Sequence, residues 1–307
     1  VSFNFSLVIF LVILVYISLL IMFFLIIVFI LGLQSTKKDF NSMYDAGEYT
    51  YSYCIENNVD NDRCDYLIKN HNNKEVMTAD TLTIFFTSLM SHNNSWINYI
   101  LVILIVFPTM FYFCKLCKSK MAINILDRKS YFLFLKNNII NCYKKIWIIM
   151  VPLIILFVFS YLYSGHFNYT YIINSGGYYS FYVDANPIIF IILYILCIFL
   201  FFIFFTNLGL IVVRKNHNII VVIIESFLLF IVVDIILELL LGVIMSNILF
   251  NGFSSRFNIV NILNIGYAQN IFEMLLLPIS LVIISFIVVI IIYKNKEKFI
   301  IDCEKNN

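Results

Sequence analysis

Residues 219–250 read IIVVIIESFLLFIVVDIILELLLGVIMSNILF, an apolar run interrupted by Glu225, Asp234 and Glu238. At 1.5 Å per residue, about 20 such residues cross the roughly 30 Å hydrocarbon core of a bilayer. An ionised side chain at the centre of that core costs about 2.5–3.5 kcal/mol on insertion scales, so intramembrane acids face a protein interior or a water-filled cavity. The stretch therefore decides the fold class, a helix in lipid, and marks where function is to be sought.

Outward from it, further runs of spanning length fall at 7–33, 97–114, 147–163, 187–213 and 275–293. With 219–249 they predict an all-α, polytopic membrane helix bundle of six transmembrane helices, forming one transmembrane domain over 1–307. The last span is expected to start early and bend at Pro278. The run 7–33 exceeds a secretory h-region and lacks a basic flank and a small-residue cleavage site, so it reads as a retained span. Composition agrees: 62% of residues are hydrophobic and only 12% charged, too few to coat a soluble globule of this size.

Orientation follows from the basic residues. Segments 115–145, 214–218 and 294–307 together hold fourteen, whereas 34–95 and 250–272 hold six. Cytoplasmic loops carry the excess of Lys and Arg, so both termini are expected to be cytoplasmic. Trp96 and Trp147 stand where interfacial anchors belong. The loop 34–95 is then extracellular; it carries nine acids against five bases and is expected to be largely solvated. Its Cys54 and Cys64 are candidates for a disulfide, with free thiols the alternative. Abundant Phe, Tyr, Ile, Asn and Lys resemble AT-biased coding, which points to the plasma membrane of a bacterium.

The cytoplasmic segment 120–145 is amphipathic. On a helical wheel Phe132, Leu135, Ile139 and Tyr143 share one side, Ser130, Asn137, Asn141 and Lys145 the other, with Lys129 and Lys136 flanking and Asp127 a candidate N-cap. Such a helix either rests on anionic lipid or docks on a soluble partner. Within 219–249, Asp234 and Glu238 are four residues apart and share a face, while Glu225 projects roughly opposite. Glu225 is expected to form a structural ion pair, with Arg214 the first candidate. Asp234 and Glu238 either make polar contacts between helices or line a substrate path.

Absences narrow the chemistry. No Gly-x-x-x-x-Gly-Lys-Ser/Thr loop occurs, so the chain has no nucleotide site of that kind. His71, His92, His166 and His217 all lie in predicted loops, which leaves no intramembrane protease motif. Cys114-Lys115-Leu116-Cys117 is half of a zinc or redox pair with no second half nearby, so no metal site and no catalytic residue are expected. Nothing points to nucleic acid.

The order of these features resembles ABC-2-type transporter permeases. The resemblance rests on six spans, the basic amphipathic segment from Asp127-Arg128-Lys129-Ser130-Tyr131 to Tyr143-Lys144-Lys145, and the tight turn Val213-Arg214-Lys215-Asn216-His217-Asn218. It also rests on a polar outer element before the last span and a short Lys294-Asn295-Lys296-Glu297-Lys298 tail. It implies a permease paired with a separate ATPase subunit that holds ATP-Mg, usually as a homodimer or with a second permease. Arg128, Lys129, Phe132, Leu135, Lys136, Ile139 and Tyr143 would then couple to the ATPase, and Asp234 and Glu238 would lie near the route of a hydrophobic or peptide-like substrate. The residues themselves leave two other classes open: an ion-coupled secondary carrier in which Asp234 and Glu238 titrate, and a non-transporting immunity or sensor protein.

Overall fold

A computed structural model describes residues 96–119, 121–126, 128, 130–164, 187–239 and 271–305, with shorter pieces at 52–57 and at positions 23, 26, 27, 30, 81 and 85. Most of these residues are helical, and none of them lies in a strand. In order, the longer elements are α1 (Trp96–Lys118), α2 (Met121–Leu126), α3 (Tyr131–Lys144), α4 (Trp147–Ser164), α5 (Pro187–Val213), α6 (Ile219–Leu237), α7 (Ile271–Tyr293) and α8 (Lys296–Lys305).

Five stretches among the described residues are long and apolar enough to cross a membrane: 99–118, 131–163, 192–213, 219–237 and 275–293. The architecture is that of a multi-pass helical membrane protein. Four of these stretches fall on expected spans, and the fifth, 131–163, takes in the expected span 147–163 together with α3, which the sequence reading places outside the membrane. The remaining expected span, 7–33, lies outside the described residues except Phe23, Ile26, Ile27 and Ile30, which are helical. Residues 240–270, including the end of the expected fifth span and Arg256, also lie outside them.

The chain divides into two compact units, one of residues 1–22, 95–152 and 188–307, the other of residues 23–94 and 153–187. In the second unit, Phe85 meets Phe157 edge-on at 5.3 Å and Cys54 is buried. Cys54 is disulfide-bonded, whereas Cys114, Cys117, Cys142, Cys197 and Cys303 are not in disulfides. Cys64 lies outside the described residues.

In the first unit, α6 packs along α1. Its buried stripe is Val222, Ser226, Phe230 and Asp234, whereas Ile220, Ile224, Leu228, Val232 and Ile236 are exposed. This inverts the soluble pattern for a physical reason: lipid solvates the aliphatic side chains, and the helix interface collects the small, polar and aromatic ones. Phe230 is the central knob, edge-on to Phe205 at 5.4 Å and against Tyr99 at 6.1 Å. Helix α5 approaches α1 closely at Gly209, where a Cβ would lie 2.7 Å from Met110 Cγ. Pro108 in α1 and Pro278 in α7 stand inside continuous helices. Next to them, Thr109 Oγ1 donates to the Ile105 carbonyl at 2.7 Å and Ser280 Oγ to the Leu277 carbonyl at 2.8 Å, which places both hydroxyls on their own helix backbone.

Two local expectations shift. Ser130, not Asp127, is the N-cap of α3, and its side chain makes no capping hydrogen bond. The tail after the last span is helical: Asn295 Oδ1 accepts from the Lys298 backbone N–H at 3.0 Å and starts α8. The face of α8 formed by Phe299 and Cys303 is buried.

Candidate functional site

The polar machinery of the first unit concentrates at its basic end, where α1, α3, α5, α7 and α8 meet. Phe299 of α8 is the hub. It stacks on Phe113 at 6.5 Å and contacts Tyr131, Phe134 and Tyr293 at 5.9–6.1 Å. Burying one such ring is worth about 1.5–3 kcal/mol where water is the alternative solvent.

Around that hub, hydrogen bonds fasten α3 to two spans. Tyr131 Oη donates to the Tyr293 carbonyl at 2.7 Å, and Tyr293 Oη donates to the Leu210 carbonyl at 2.9 Å. At the other end of α3, Tyr143 Oη donates to Asn207 Oδ1 at 2.6 Å, and Asn207 Nδ2 donates to Ser285 Oγ at 2.9 Å. Asn207 is fully buried. Tyr143→Phe is expected to leave Asn207 Oδ1 without its donor and to lower stability by about 0.6–2 kcal/mol, readable as a lower melting temperature in detergent.

The apolar arc of α3 seen on the wheel, Phe132, Leu135, Ile139 and Tyr143, is not the stripe that the first unit buries. The buried stripe is Phe134, Asn138 and Cys142, with Leu135, Ile139 and Tyr143 half-buried beside it. Phe132, 76% exposed, points outward with Leu133, Ile140, Lys136 and Lys144. Of the residues expected to couple to an ATPase, Phe132 and Lys136 therefore lie on the outward face, Arg128 is exposed in the preceding turn, and Tyr143 is committed to Asn207. Lys129 lies outside the described residues.

The expected Arg214–Glu225 pair does not form. Arg214, 3% exposed, pairs with Asp302 of α8 at 2.5 Å, and its guanidinium lies over the rings of Phe299 at 5.2 Å and Tyr293 at 5.9 Å. Its Nε and Nη2 atoms have no hydrogen-bond partner. Glu225 Oε2 instead accepts from Asn216 Nδ2 at 2.6 Å. In the same turn, Asn218 Oδ1 accepts from the Ile220 backbone N–H at 3.1 Å and caps α6. That turn aims His217 inward.

Beside Arg214, Cys117 from the last turn of α1, His217 from the α5–α6 turn and Cys303 from α8 converge, their ligand atoms all within 4.8 Å of one another. All three are buried, and neither ring nitrogen of His217 has a hydrogen-bond partner. A buried polar group left unsatisfied costs about 1–3 kcal/mol. Hydrogen bonding from the Cys117 thiol lowers the Cys303 thiol below its ordinary value, and the nearby His217 ring and Arg214 act in the same direction, the ring standing close to Cys303 without reaching hydrogen-bond geometry. Sequence reasoning expected no such cluster, because its members are single residues from three distant parts of the chain.

At the other end of α6, Asp234 is buried and Glu238 exposed, so their shared face does not give them a shared environment. Glu238 stands where the helix passes into a π-helical turn at 238–239. Both acids lie within electrostatic reach of Tyr99 of α1. No known protein family, curated protein or solved structure matches the chain.

Proposed function

We propose that the chain is the membrane subunit of an ATP-driven exporter of the ABC-2 kind, moving a hydrophobic or peptide-like substrate. It threads the plasma membrane of a bacterium six times with both termini in the cytoplasm. A separate ATPase subunit holds ATP-Mg, and a second copy or a second permease completes the path. One observation carries this reading: α3 is fastened at both ends to membrane-spanning helices, through Tyr131 and Tyr143, while its outward face offers Phe132, Leu133 and Ile140 with Lys136 and Lys144. A helix resting on lipid needs only an apolar face, whereas one that transmits a push must be attached to what it moves. The cysteines support the orientation, since Cys54 of the acidic segment is disulfide-bonded whereas Cys117, Cys142 and Cys303 at the basic end are not in disulfides.

The test is co-purification of an ATPase from the native membrane, followed by substitution of Phe132, Leu133 and Ile140 with Asn. The ATPase and export should be lost together while the permease stays folded. An intact complex after these changes, or labelling of Lys136→Cys by an impermeant thiol reagent on intact cells, refutes the assignment. Burial of Asp234 within reach of Tyr99 favours the ion-coupled carrier as a second reading. Asp234→Asn combined with Glu238→Gln abolishes transport by such a carrier, and an ATP-driven exporter tolerates it.

A further inference from the structure

We propose that Cys117, His217 and Cys303 form a binding site for a divalent, borderline-soft cation of the zinc class. Each residue supplies one ligand atom, and the three atoms already lie within 4.8 Å of one another. Ligands on a shared zinc, at about 2.3 Å for sulfur and 2.0–2.1 Å for nitrogen, stand somewhat under 4 Å apart in a tetrahedron, so closing the set takes about 1 Å of movement.

The ring of His217 gives a second, independent indication. It is 3% exposed, and both of its nitrogens lack a hydrogen-bond partner. A nitrogen lone pair buried against two sulfurs is a metal donor waiting for a Lewis acid. The donor set also selects among cations: two sulfurs and an imidazole suit zinc and reject magnesium and calcium, which take oxygen ligands. Charge balance separates a divalent from a monovalent ion. Binding displaces the thiol protons to solvent, and Arg214 and Asp302 cancel as an ion pair, so the two thiolates and a neutral imidazole carry a local charge that a divalent ion neutralises and copper(I) leaves in excess. Three protein ligands fill three of four tetrahedral positions, leaving the fourth for water or another donor. Because the ligands come from α1, the α5–α6 turn and α8, the ion staples the C-terminal helix to the spans. Asp302 and Phe299 hold that helix in place beforehand.

The test is cobalt(II) titration of the full-length protein in detergent, under a phosphine reductant that keeps both thiols reduced. The expected result is a thiolate-to-cobalt charge-transfer band with tetrahedral visible bands, saturating at a single ion per chain and displaced by zinc. Cys117→Ser and Cys303→Ser should each weaken binding by more than the roughly 10–100-fold that loss of an outer-shell partner costs. Cys114→Ser, a buried free thiol outside the trio, should leave binding unchanged. If either serine variant fails to fold, Cys303→His decides, since it resupplies a ligand and should retain cobalt with an altered spectrum. Monodisperse wild-type protein that shows no charge-transfer band overturns the site, as does binding that survives both serine substitutions or is lost in folded Cys303→His.

Discussion

Asp302→Ala should be among the most damaging single substitutions in the described part of this chain. It strands the Arg214 guanidinium, which is 3% exposed and has Asp302 as its ion partner. Removing one member of a buried pair costs about 3–5 kcal/mol, because an uncompensated charge stays in a poorly solvated place. The expected value lies toward the lower end, since Asp302 itself is 23% exposed and water already shares its side of the pair. That asymmetry makes a second outcome testable. Arg214→Met should be milder, because the orphaned carboxylate can turn to water while the methionine packs on Phe299 and Tyr293. The double variant Arg214→Met with Asp302→Leu should recover most of the loss. Melting temperatures of the three proteins in one detergent decide the matter, and equal damage from both single changes would refute the account.

Gly209→Leu is the second large effect. A Cβ at 209 would stand 2.7 Å from Met110 Cγ and 3.1 Å from its sulfur, and Met110 is wholly buried. Small residues let membrane helices approach without a hydrophobic drive between them, so a branched side chain here separates α5 from α1. Overpacking of this kind costs about 1–3 kcal/mol, and leucine should exceed alanine. Combining Gly209→Ala with Met110→Ala removes the clash and should melt no lower than Met110→Ala alone. A Gly209→Leu protein as stable as wild type would show that α5 and α1 do not meet as described.

The apolar runs were readable because lipid offers backbone groups no partner, so a spanning segment must be a long helix whatever surrounds it. Which side of α3 faces protein was not readable. For α3, the stripe containing Phe132 and the one containing Phe134 are similarly apolar, and a chain that meets both lipid and protein can bury either. On α6 the inner side was legible at Asp234, a residue that lipid would penalise. Partnerships at the basic end were harder still. Arg214 sits in a short turn with Glu225 close by in sequence, yet it pairs with an aspartate on a helix where only a tail was expected. Cys117, His217 and Cys303 each resemble an isolated residue until the fold gathers them. A helical period in Phe299, Asp302 and Cys303 was the one available signal, marking 296–305 as an element with an inner face.

The two ends of α3 grip different spans, and those spans also grip each other through Tyr293 and Leu210 and through Asn207 and Ser285. Force applied anywhere along that short cylinder cannot shift one partner and spare its neighbour. It joins the two as a yoke joins a pair.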